Sequence, residues 1–219
     1  MSEDQENQLL RKALALYAGE HVVAKVLAQG EQFLVPSAET VELTLLYYDI
    51  AFVTRVDGGL TPKALLDWQR AYAEATTNAI AQSQGRFETF LGDAGSAWWL
   101  AREEPLHADV ALSCARAMME AIGELNRRGS RARWPAIQLR VGIHTGEASL
   151  GNYGSTTRLR YCAMGDEVNL AAYLGGAGHK RPIVLSQATY DRLSTKPQVE
   201  LLGKMPVKSG GELEIYGIE

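Results

Sequence analysis

Cysteine, basic charge and long apolar segments are all scarce in this sequence of 219 residues. The two cysteines, Cys114 and Cys162, have no metal-binding spacing, which excludes a disulfide scaffold and predicts a reduced, cytoplasmic setting. The formal net charge is −4, so the basic excess of a nucleic-acid-binding protein is missing and we expect no nucleic-acid partner. No apolar run approaches the roughly 20 residues of a transmembrane helix, and the acidic N-terminus is not that of a signal peptide. We therefore expect no membrane segment in this chain.

The composition is that of an ordinary globular domain, with 46% hydrophobic and 22% charged residues. Apolar residues recur at helical spacing over residues 8–29, and Gly19 is expected to divide this stretch into two helices. We therefore predict an N-terminal helical segment of residues 1–34, followed by a main domain of residues 35–219.

Periodicity and turn residues predict the elements of the main domain. The predicted strands include residues 41–50, 137–144 and 147–153, the last two as a hairpin. The predicted helices include residues 61–83, 106–127 and 167–174. This order predicts an α+β, ferredoxin-like fold in which helices cover one face of a largely antiparallel sheet.

Two aspartates stand where predicted strands end. Asp49 comes near the end of an apolar strand, and Asp93 lies at the tip of a predicted hairpin. A strand, a helix and a hairpin in this order can bring both carboxylates onto adjacent strands, where they repel each other unless a cation lies between them. Such hard oxygen ligands suit Mg²⁺ or Mn²⁺. The alternative is that Asp49 only ends a strand and Asp93 only caps a turn.

Five longer motifs occur in a recognisable order. They are LLYYDIAFVT (45–54), TFLGDA (89–94), LRVGIHTGEASLGNYGS (139–155), YCAMGDEVNLAA (161–172) and VKSGGELEIY (207–216). With these motifs the sequence resembles the class III nucleotidyl cyclases, the adenylate and guanylate cyclase catalytic domains, over nearly its whole length. The resemblance implies the class III cyclase fold, an obligate-type homodimer and a catalytic domain of residues 35–219. It also implies a phosphorus–oxygen lyase, in which the ribose 3′-hydroxyl of a nucleoside triphosphate attacks the α-phosphorus and pyrophosphate leaves.

The resemblance also implies roles for individual residues. Asp49 and Asp93, with the backbone carbonyl of Ile50, would hold two divalent metal ions, Mg²⁺ or Mn²⁺. Backbone amides around Val53 and Thr54 would bind the β- and γ-phosphates, as an anion-binding nest does. Each active site of the family lies between two chains, so a homodimer with two composite active sites is implied.

Three more residues match, or nearly match, functional positions of the family. Asn169 matches the asparagine that orients the ribose and the reacting phosphate. Lys208 matches a lysine that binds the terminal phosphates, and Arg181 lies one position from a second phosphate-binding residue. For Lys208 and Arg181 the alternative is a solvated surface charge.

Four positions depart from the family pattern. Thr89 and Cys162 occupy the two base-reading positions, where adenylate cyclases carry Lys with Asp or Thr and guanylate cyclases carry Glu and Cys. Phe52 replaces the glycine of the metal motif, so its ring should narrow the pocket or redirect the loop. Tyr173 stands where the transition-state arginine is expected, four residues after Asn169.

These departures leave three interpretations. The first is a pyrimidine cyclase acting on UTP or CTP, with UTP ahead, because the chain resembles the stand-alone cyclases of bacterial Pycsar anti-phage systems. In those systems a separate cyclic-nucleotide-binding effector reads the product. The second is a purine cyclase in general signalling. The third is a catalytically inactive homology domain, since loss of the arginine costs on the order of 10²- to 10³-fold in rate unless Arg158 or Arg160 replaces it.

Overall fold

The computed structural model describes residues 1–54, 59–176, 181–206 and 211–219. Its helices are α1 (Glu3–Ala18), α2 (Glu20–Gln29), α3 (Pro62–Gln82), α4 (His107–Gly129), α5 (Asp166–Gly176) and α6 (Gln187–Arg192). Its strands are β1 (Ser37–Val53), β2 (Arg86–Leu91), β3 (Ala94–Leu100), β4 (Ile137–Ser155), β5 (Arg158–Met164), β6 (Ile183–Ser186), β7 (Glu200–Pro206) and β8 (Glu212–Ile218). Short 3-10 helices lie at Gly30–Phe33 and Ser130–Ala132. None of the described helices is long and apolar enough to cross a bilayer.

The strands form one sheet with the order β2-β3-β1-β4-β6-β8-β7, and β5 pairs with β4 beside this path. β1 and β4 pair along nearly their whole length, from Ser37 opposite Asn152 to Val53 opposite Ile137. β4 and β6 run parallel, and the other pairs run antiparallel. The predicted α+β fold with a largely antiparallel sheet is confirmed, whereas the homodimer stays a prediction.

Helices pack on both faces of the sheet, which corrects the expectation that they would cover one. Alternation along β1 sends Leu46 and Tyr48 towards α3 and α4, and sends Leu43 and Leu45 to the opposite face. That second face is covered by α5, whose Ala171 packs into it, and β5, which pairs with β4, contributes Ala163 to the same cluster. Helical periodicity identifies a buried face, but it does not say which face of the sheet the helix covers.

β4 is a single strand of 19 residues, so the predicted hairpin between residues 144 and 147 is wrong. Gly146, a residue type common in turns, lies within β4 opposite Leu43 of β1. A Cβ at this glycine would overlap the side chain of Glu167 on α5. The glycine therefore makes room for a packed side chain rather than for a reversal of the chain.

The two N-terminal helices divide at Gly19, as predicted, where the backbone has a φ of +94°. α1 buries none of its residues. α2 buries Val22 and Val23, and the ring of His21 meets Trp98 of β3 edge-on with the ring centroids 5.6 Å apart. The docking of α2 therefore ties the N-terminal segment to the sheet, together with Phe33, whose backbone carbonyl accepts a hydrogen bond from the side-chain amide of Asn152 on β4.

We expect acidification to loosen this docking through His21. Burial, together with the positive charges of Arg86 and Lys25, lowers the pKa of His21 from 6.5 to about 4. The folded state thus favours neutral histidine. The contribution of His21 to the free energy of unfolding is therefore fully present above about pH 6.5 and is lost as the pH falls towards 4. This loss amounts to at most about 3 kcal/mol. His21→Phe keeps a ring but cannot titrate. Between about pH 7 and pH 5 the thermal midpoint should fall further for the wild type than for His21→Phe, and parallel falls would contradict the prediction.

Candidate active site

Asp49 on β1 and Asp93 beside the first residue of β3 lie close together at one end of these two neighbouring strands. Asp49 follows Tyr48, which pairs with Gly95 of β3, and Asp93 occupies the turn that joins β2 to β3. Burial raises the pKa of Asp49, and the nearby negative charge of Asp93 raises that pKa further. The sequence therefore identified two carboxylates that the fold holds close enough to repel each other.

A side chain of α3 holds the backbone of the β2–β3 turn in place. The hydroxyl of Tyr72 on α3 donates a hydrogen bond of 2.6 Å to the backbone carbonyl of Asp93. Gly92 adopts a φ of +70°, which favours glycine in this turn. A cleft of about 240 Å³ lies beside the turn, and Ile50, Tyr72 and Asp93 are among its lining residues. The side chain of Asp93 is consequently exposed on a turn whose backbone is held in place.

The donor set suits a divalent metal ion of the magnesium type. The donor set that the resemblance implies consists of two carboxylates and the backbone carbonyl of Ile50, all hard oxygen ligands. The described part of the chain holds no group of three or more His, Cys, Asp or Glu side chains that could enclose a metal. Mg²⁺ commonly takes one or two carboxylates and completes its shell with water and substrate phosphates. A cation at this position would also relieve the repulsion between Asp49 and Asp93.

β1 loses its regular pairing with β4 one residue beyond Asp49, after Ile50. The register with β4 shifts between Ile50 and Phe52, which leaves Ala51 as the extra residue of a β-bulge. Beyond it, the Thr54 N–H donates to the carbonyl of Ala136 over 3.0 Å, and the Ala136 N–H donates to the Thr54 hydroxyl. The amide of Thr54 would therefore have to exchange its partner to bind a phosphate. The side chain of Phe52 and the whole of Lys208 lie outside the described residues.

Arg140 is a candidate site residue that the sequence analysis missed. It lies directly opposite Asp49 in the β1–β4 pair, and its positive charge lowers the pKa of that aspartate. Its Nε is buried and has no hydrogen-bond partner among the described residues. A cavity of about 490 Å³ opens beside Arg140 and also contacts Ala51 and Arg181. The available signal was a lone arginine within the apolar strand segment at residues 139–143.

Arg181 reaches this cavity but is already paired. Its guanidinium forms an ion pair of 2.6 Å with Glu200 and another with Glu219. The structure thus brings Arg181 and Arg140 to one cavity, where Arg181 forms two ion pairs and the Nε of Arg140 has no hydrogen-bond partner among the described residues. Val53 lies in β1 opposite Ile137, half-buried against the core.

α5 presents Asn169 and Tyr173 to the outside of the chain. Both side chains are exposed, Tyr173 by 54%, and they are four residues apart on the same face of the helix. Neither hydrogen-bonds to Asp49 or Asp93 in the described part of the chain. On the inner side of α5, Glu167 binds His144, whose Nδ1 lies 2.8 Å from the Ser186 hydroxyl. Buried contacts on one side therefore hold α5 in place, while Asn169 and Tyr173 lie on its opposite, exposed side.

We expect a methyl group at Gly142 to displace α5. A Cβ on this β4 residue would overlap the backbone of Ala171 and Gly175. Backbone cannot give way like a side chain, so Gly142→Ala should destabilise the fold by about 1–3 kcal/mol in urea unfolding. Gly123→Ala is the matched control, because its site within α4 has space and a helical alanine stabilises by roughly 0.5–1 kcal/mol. Equal changes in the free energy of unfolding for the two variants would show that the backbone of α5 does not pack closely against Gly142.

The two base-reading positions lie on different strands. The hydroxyl of Thr89 in β2 donates to the neighbouring carbonyl of Phe90 over 3.2 Å. Cys162 in β5 is buried, with 5% of its surface exposed. Burial raises the pKa of its thiol, and the nearby charge of Glu88 raises it further. Glu88, which the sequence analysis passed over, is thus a carboxylate close to Cys162.

The two arginines proposed as replacements differ in their surroundings. Arg158 is exposed at the start of β5, opposite Ser155 of β4. Arg160 forms an ion pair with Glu88 over 3.6 Å. The structure therefore ties Arg160, but not Arg158, to the surroundings of Cys162.

The sequence matches known proteins over most of its length. The sequence model of the Adenylate and Guanylate cyclase catalytic domain matches residues 35–219. Adenylate cyclase 1 of Rhizobium meliloti is 33% identical over 163 residues, which are 74% of this chain and 24% of that protein. Guanylate cyclase 32E of Drosophila melanogaster is 28% identical over 202 residues, which are 89% of this chain and 17% of that protein. The chain thus spans less than a third of the length of either relative.

Solved structures resemble the fold. The adenylyl cyclase CyaB from P. aeruginosa superposes with a TM-score of 0.73 at 27% identity, covering 84% of this chain and 96% of that one. A bacterial light-regulated adenylyl cyclase has a TM-score of 0.80 at 19% identity and covers 98% of this chain and 62% of its own, a likeness of fold alone. Since the family model covers well over half of the sequence, this chain belongs to the adenylate and guanylate cyclase catalytic domain family.

Proposed function

We propose that this protein is a nucleotidyl cyclase that converts a nucleoside triphosphate to its 3′,5′-cyclic nucleotide and pyrophosphate. The observation that carries the proposal is the pair Asp49 and Asp93, held together at one sheet edge with Arg140 opposite Asp49. Family membership supports the reaction type. A domain with no catalytic role has no chemical need of two mutually repelling carboxylates at one edge.

The chain's own residues supply binding, orientation and charge. Asp49, Asp93 and the carbonyl of Ile50 would hold two divalent ions, and Arg140 would bind phosphate oxygens. When bound, the ions neutralise the triphosphate and make the 3′-hydroxyl a better nucleophile. The 3′-hydroxyl gives its proton to water as its oxygen bonds to the α-phosphorus, the bond from that phosphorus to the α–β bridging oxygen breaks, and pyrophosphate leaves with the electron pair. Asn169 would orient the ribose and the reacting phosphate.

The proposed active site is composite and requires two copies of the chain. Asn169 and Tyr173 are exposed on α5, so they are available to a nucleotide held by the aspartates of a partner copy. Each homodimer would then contain two such sites by symmetry. Tyr173 is not cationic, so transition-state charge in this site is left to Arg140, the metal ions and other basic groups.

For the base, we propose a pyrimidine, with UTP ahead of CTP. The supporting observation is that Thr89 turns its hydroxyl to its own strand while Cys162 is buried, so neither offers the standard purine contact of adenylate cyclases. The product would act as a second messenger read by a separate effector, in anti-phage defence by the resemblance to Pycsar cyclases. Free thiols at Cys114 and Cys162 suit a reducing cytoplasm.

One observation favours a second candidate, a guanylate cyclase. Glu88 lies close enough to Cys162 to raise the pKa of its thiol, so a carboxylate and a thiol occur together here. Guanylate cyclases carry these two groups at their base-reading positions. In this chain the carboxylate comes from the position before Thr89.

The decisive experiment supplies the purified protein with ATP, GTP, CTP or UTP, each with Mg²⁺ or Mn²⁺, and identifies the products by mass. We expect cyclic UMP as the main product. Cyclic GMP as the main product would replace the pyrimidine proposal by the guanylate candidate, and cyclic AMP would contradict both. Absence of any cyclic product under all eight conditions would overturn the cyclase proposal.

A further inference from the structure

A chain of hydrogen bonds between polar side chains connects α5 to the interior of the sheet. It begins at Glu167 of α5, whose carboxylate binds Nε2 of His144 on β4. Nδ1 of His144 lies 2.8 Å from the hydroxyl of Ser186, the last residue of β6. His144 and Ser186 are 3% and 0% exposed, whereas the side chain of Glu167 is 30% exposed. Glu167 is therefore the residue through which this buried chain reaches the helix.

The donors and acceptors of this chain determine the state of His144. A carboxylate only accepts hydrogen bonds, so Nε2 of His144 carries the proton that faces Glu167. Burial lowers the pKa of His144 and favours the neutral ring, whose Nδ1 then accepts from the Ser186 hydroxyl. Ser186 in turn accepts from the backbone N–H of Thr189 over 3.2 Å. Both ring nitrogens thus have partners, which hold the imidazole in one orientation.

Glu167 ties the first turn of α5 to β4, while buried apolar side chains hold the later turns. The chain enters the helix through Gly165, at a φ of +134°, and the neighbouring Val168 is only half-buried. A Cβ at Gly146 of β4 would overlap the carboxylate of Glu167, so this carboxylate lies closely over the strand. The bond between Glu167 and His144 therefore resists rotation of the first turn about the helix axis.

Asn169 lies two residues after Glu167, on the other side of the same helical turn. Successive residues of an α-helix are about 100° apart around its axis, so these two side chains point about 200° apart. This agrees with the inward carboxylate of Glu167 and the exposed side chain of Asn169. A rotation that breaks the bond to His144 would carry the amide of Asn169 sideways. A displacement of about 1 Å at a reacting centre can cost on the order of 10²-fold in rate.

We propose that Glu167 and His144 are positioning residues for Asn169, whose side chain they hold in the orientation that the reacting nucleotide requires. The inference rests on the proposed cyclase function, in which Asn169 orients the ribose and the reacting phosphate. Neither positioning residue contacts the nucleotide. The proposed metal ligands lie on other elements of the fold, so loss of the pair slows the chemical step and leaves substrate binding largely intact.

The first test separates kcat from KM. Glu167→Ala should lower kcat by on the order of 10- to 10²-fold and leave KM for the nucleoside triphosphate within about twofold of the wild type. Glu167→Gln should keep most of the turnover, because its carbonyl oxygen still accepts from Nε2 of His144. His144→Phe keeps a ring without hydrogen-bonding atoms and should resemble Glu167→Ala. Glu120→Ala, which removes the same charge from an exposed position on α4, is the matched control and should change neither constant.

Mixed dimers separate positioning from a general loss of structure. In a dimer of one Asp49→Ala chain and one Asn169→Ala chain, the intact composite site takes Asn169 from the first chain and both aspartates from the second. Glu167→Ala added to the Asp49→Ala chain should lower turnover by the same factor as in the wild type. Added to the Asn169→Ala chain it should leave turnover unchanged, because α5 of that chain serves only the doubly damaged site. An equal loss in both placements would show a purely structural role and would overturn the proposal.

Hydrogen exchange gives a readout apart from turnover. The amides of residues 170–172 bond to carbonyls of the first turn of α5, so Glu167→Ala should speed their exchange. Unchanged exchange would overturn the proposal, and so would a raised KM with an unchanged kcat, which is the signature of a binding residue. If exchange responds as expected but the wild type forms no cyclic product, the cyclase function fails while the hold of Glu167 on α5 stands.

Discussion

Replacing Asp93 by asparagine is expected to lower turnover by at least on the order of 10³-fold while leaving the chain folded. The substitution keeps the volume of the side chain but removes one of two charges proposed to hold the metal ions. Loss of a single electrostatic stabiliser of a transition state typically costs on the order of 10²- to 10³-fold, and a divalent ion is a larger local charge than such a group. The stability of the fold should be unchanged, because the hydroxyl of Tyr72 donates to the backbone carbonyl of Asp93 rather than to its carboxylate.

Two measurements and a control variant separate this explanation from a general loss of structure. Asp93→Asn removes the charge that raises the pKa of Asp49, so the thermal midpoint near neutral pH should stay equal to that of the wild type or rise. Mg²⁺ should stabilise the wild type against heat through binding to the folded state, but should stabilise Asp93→Asn much less. Asp67→Asn is the control, because it removes the same charge from an exposed ion pair with Lys63 on α3.

The metal assignment would be wrong if Asp93→Asn kept near wild-type turnover. It would also be wrong if Mg²⁺ raised the thermal midpoint of the variant as much as that of the wild type. A loss of turnover in Asp67→Asn of similar size would point to a non-specific charge effect. Each of these outcomes is read from the same two assays, turnover and thermal unfolding.

The placement of the two aspartates was predictable because it depends on local patterns. An apolar strand that ends near an aspartate and a hairpin with an aspartate at its tip are each visible in short stretches of sequence. The fold then brings the ends of β1 and of the β2–β3 hairpin together, since β1 and β3 are neighbours. The division of the N-terminal segment at Gly19 was predictable for the same reason.

Arg140 and Glu88 were not predictable, because their roles depend on register between strands. Arg140 matters since it lies opposite Asp49, and a shift of one residue would turn its side chain to the other face. The position of Glu88 depends on a β-bulge that interrupts the alternation of side chains in β2. The residue types on either side of Glu88 do not predict this bulge. The continuous β4 strand was misjudged likewise, because pairing with β1 outweighs the local turn tendency of Gly146.

Mixing two inactive variants is expected to restore activity if the active site is composite. Asp49→Ala removes a proposed metal ligand, and Asn169→Ala removes the proposed orienting residue on α5. In a mixed dimer one site combines both defects, while the other combines an intact metal half with an intact Asn169. Random exchange of equal amounts gives mixed dimers as half of the population, so about a quarter of all sites should be intact. Turnover of the mixture should therefore rise to about a quarter of the wild-type value.

A second mixture supplies the negative control. Asp49→Ala combined with Asp93→Asn damages the metal half of every site, so exchange of these chains should restore nothing. Formation of mixed dimers is verified with two affinity tags before activity is measured. If verified dimers of Asp49→Ala and Asn169→Ala stay inactive, each site lies within one chain and the exposed face of α5 has another purpose. Recovery of turnover in the mixture of Asp49→Ala and Asn169→Ala, but not in the control mixture, would place Asn169 and the aspartates on opposite sides of one dimer interface. No single chain in that mixture carries both an intact pair of aspartates and an intact Asn169.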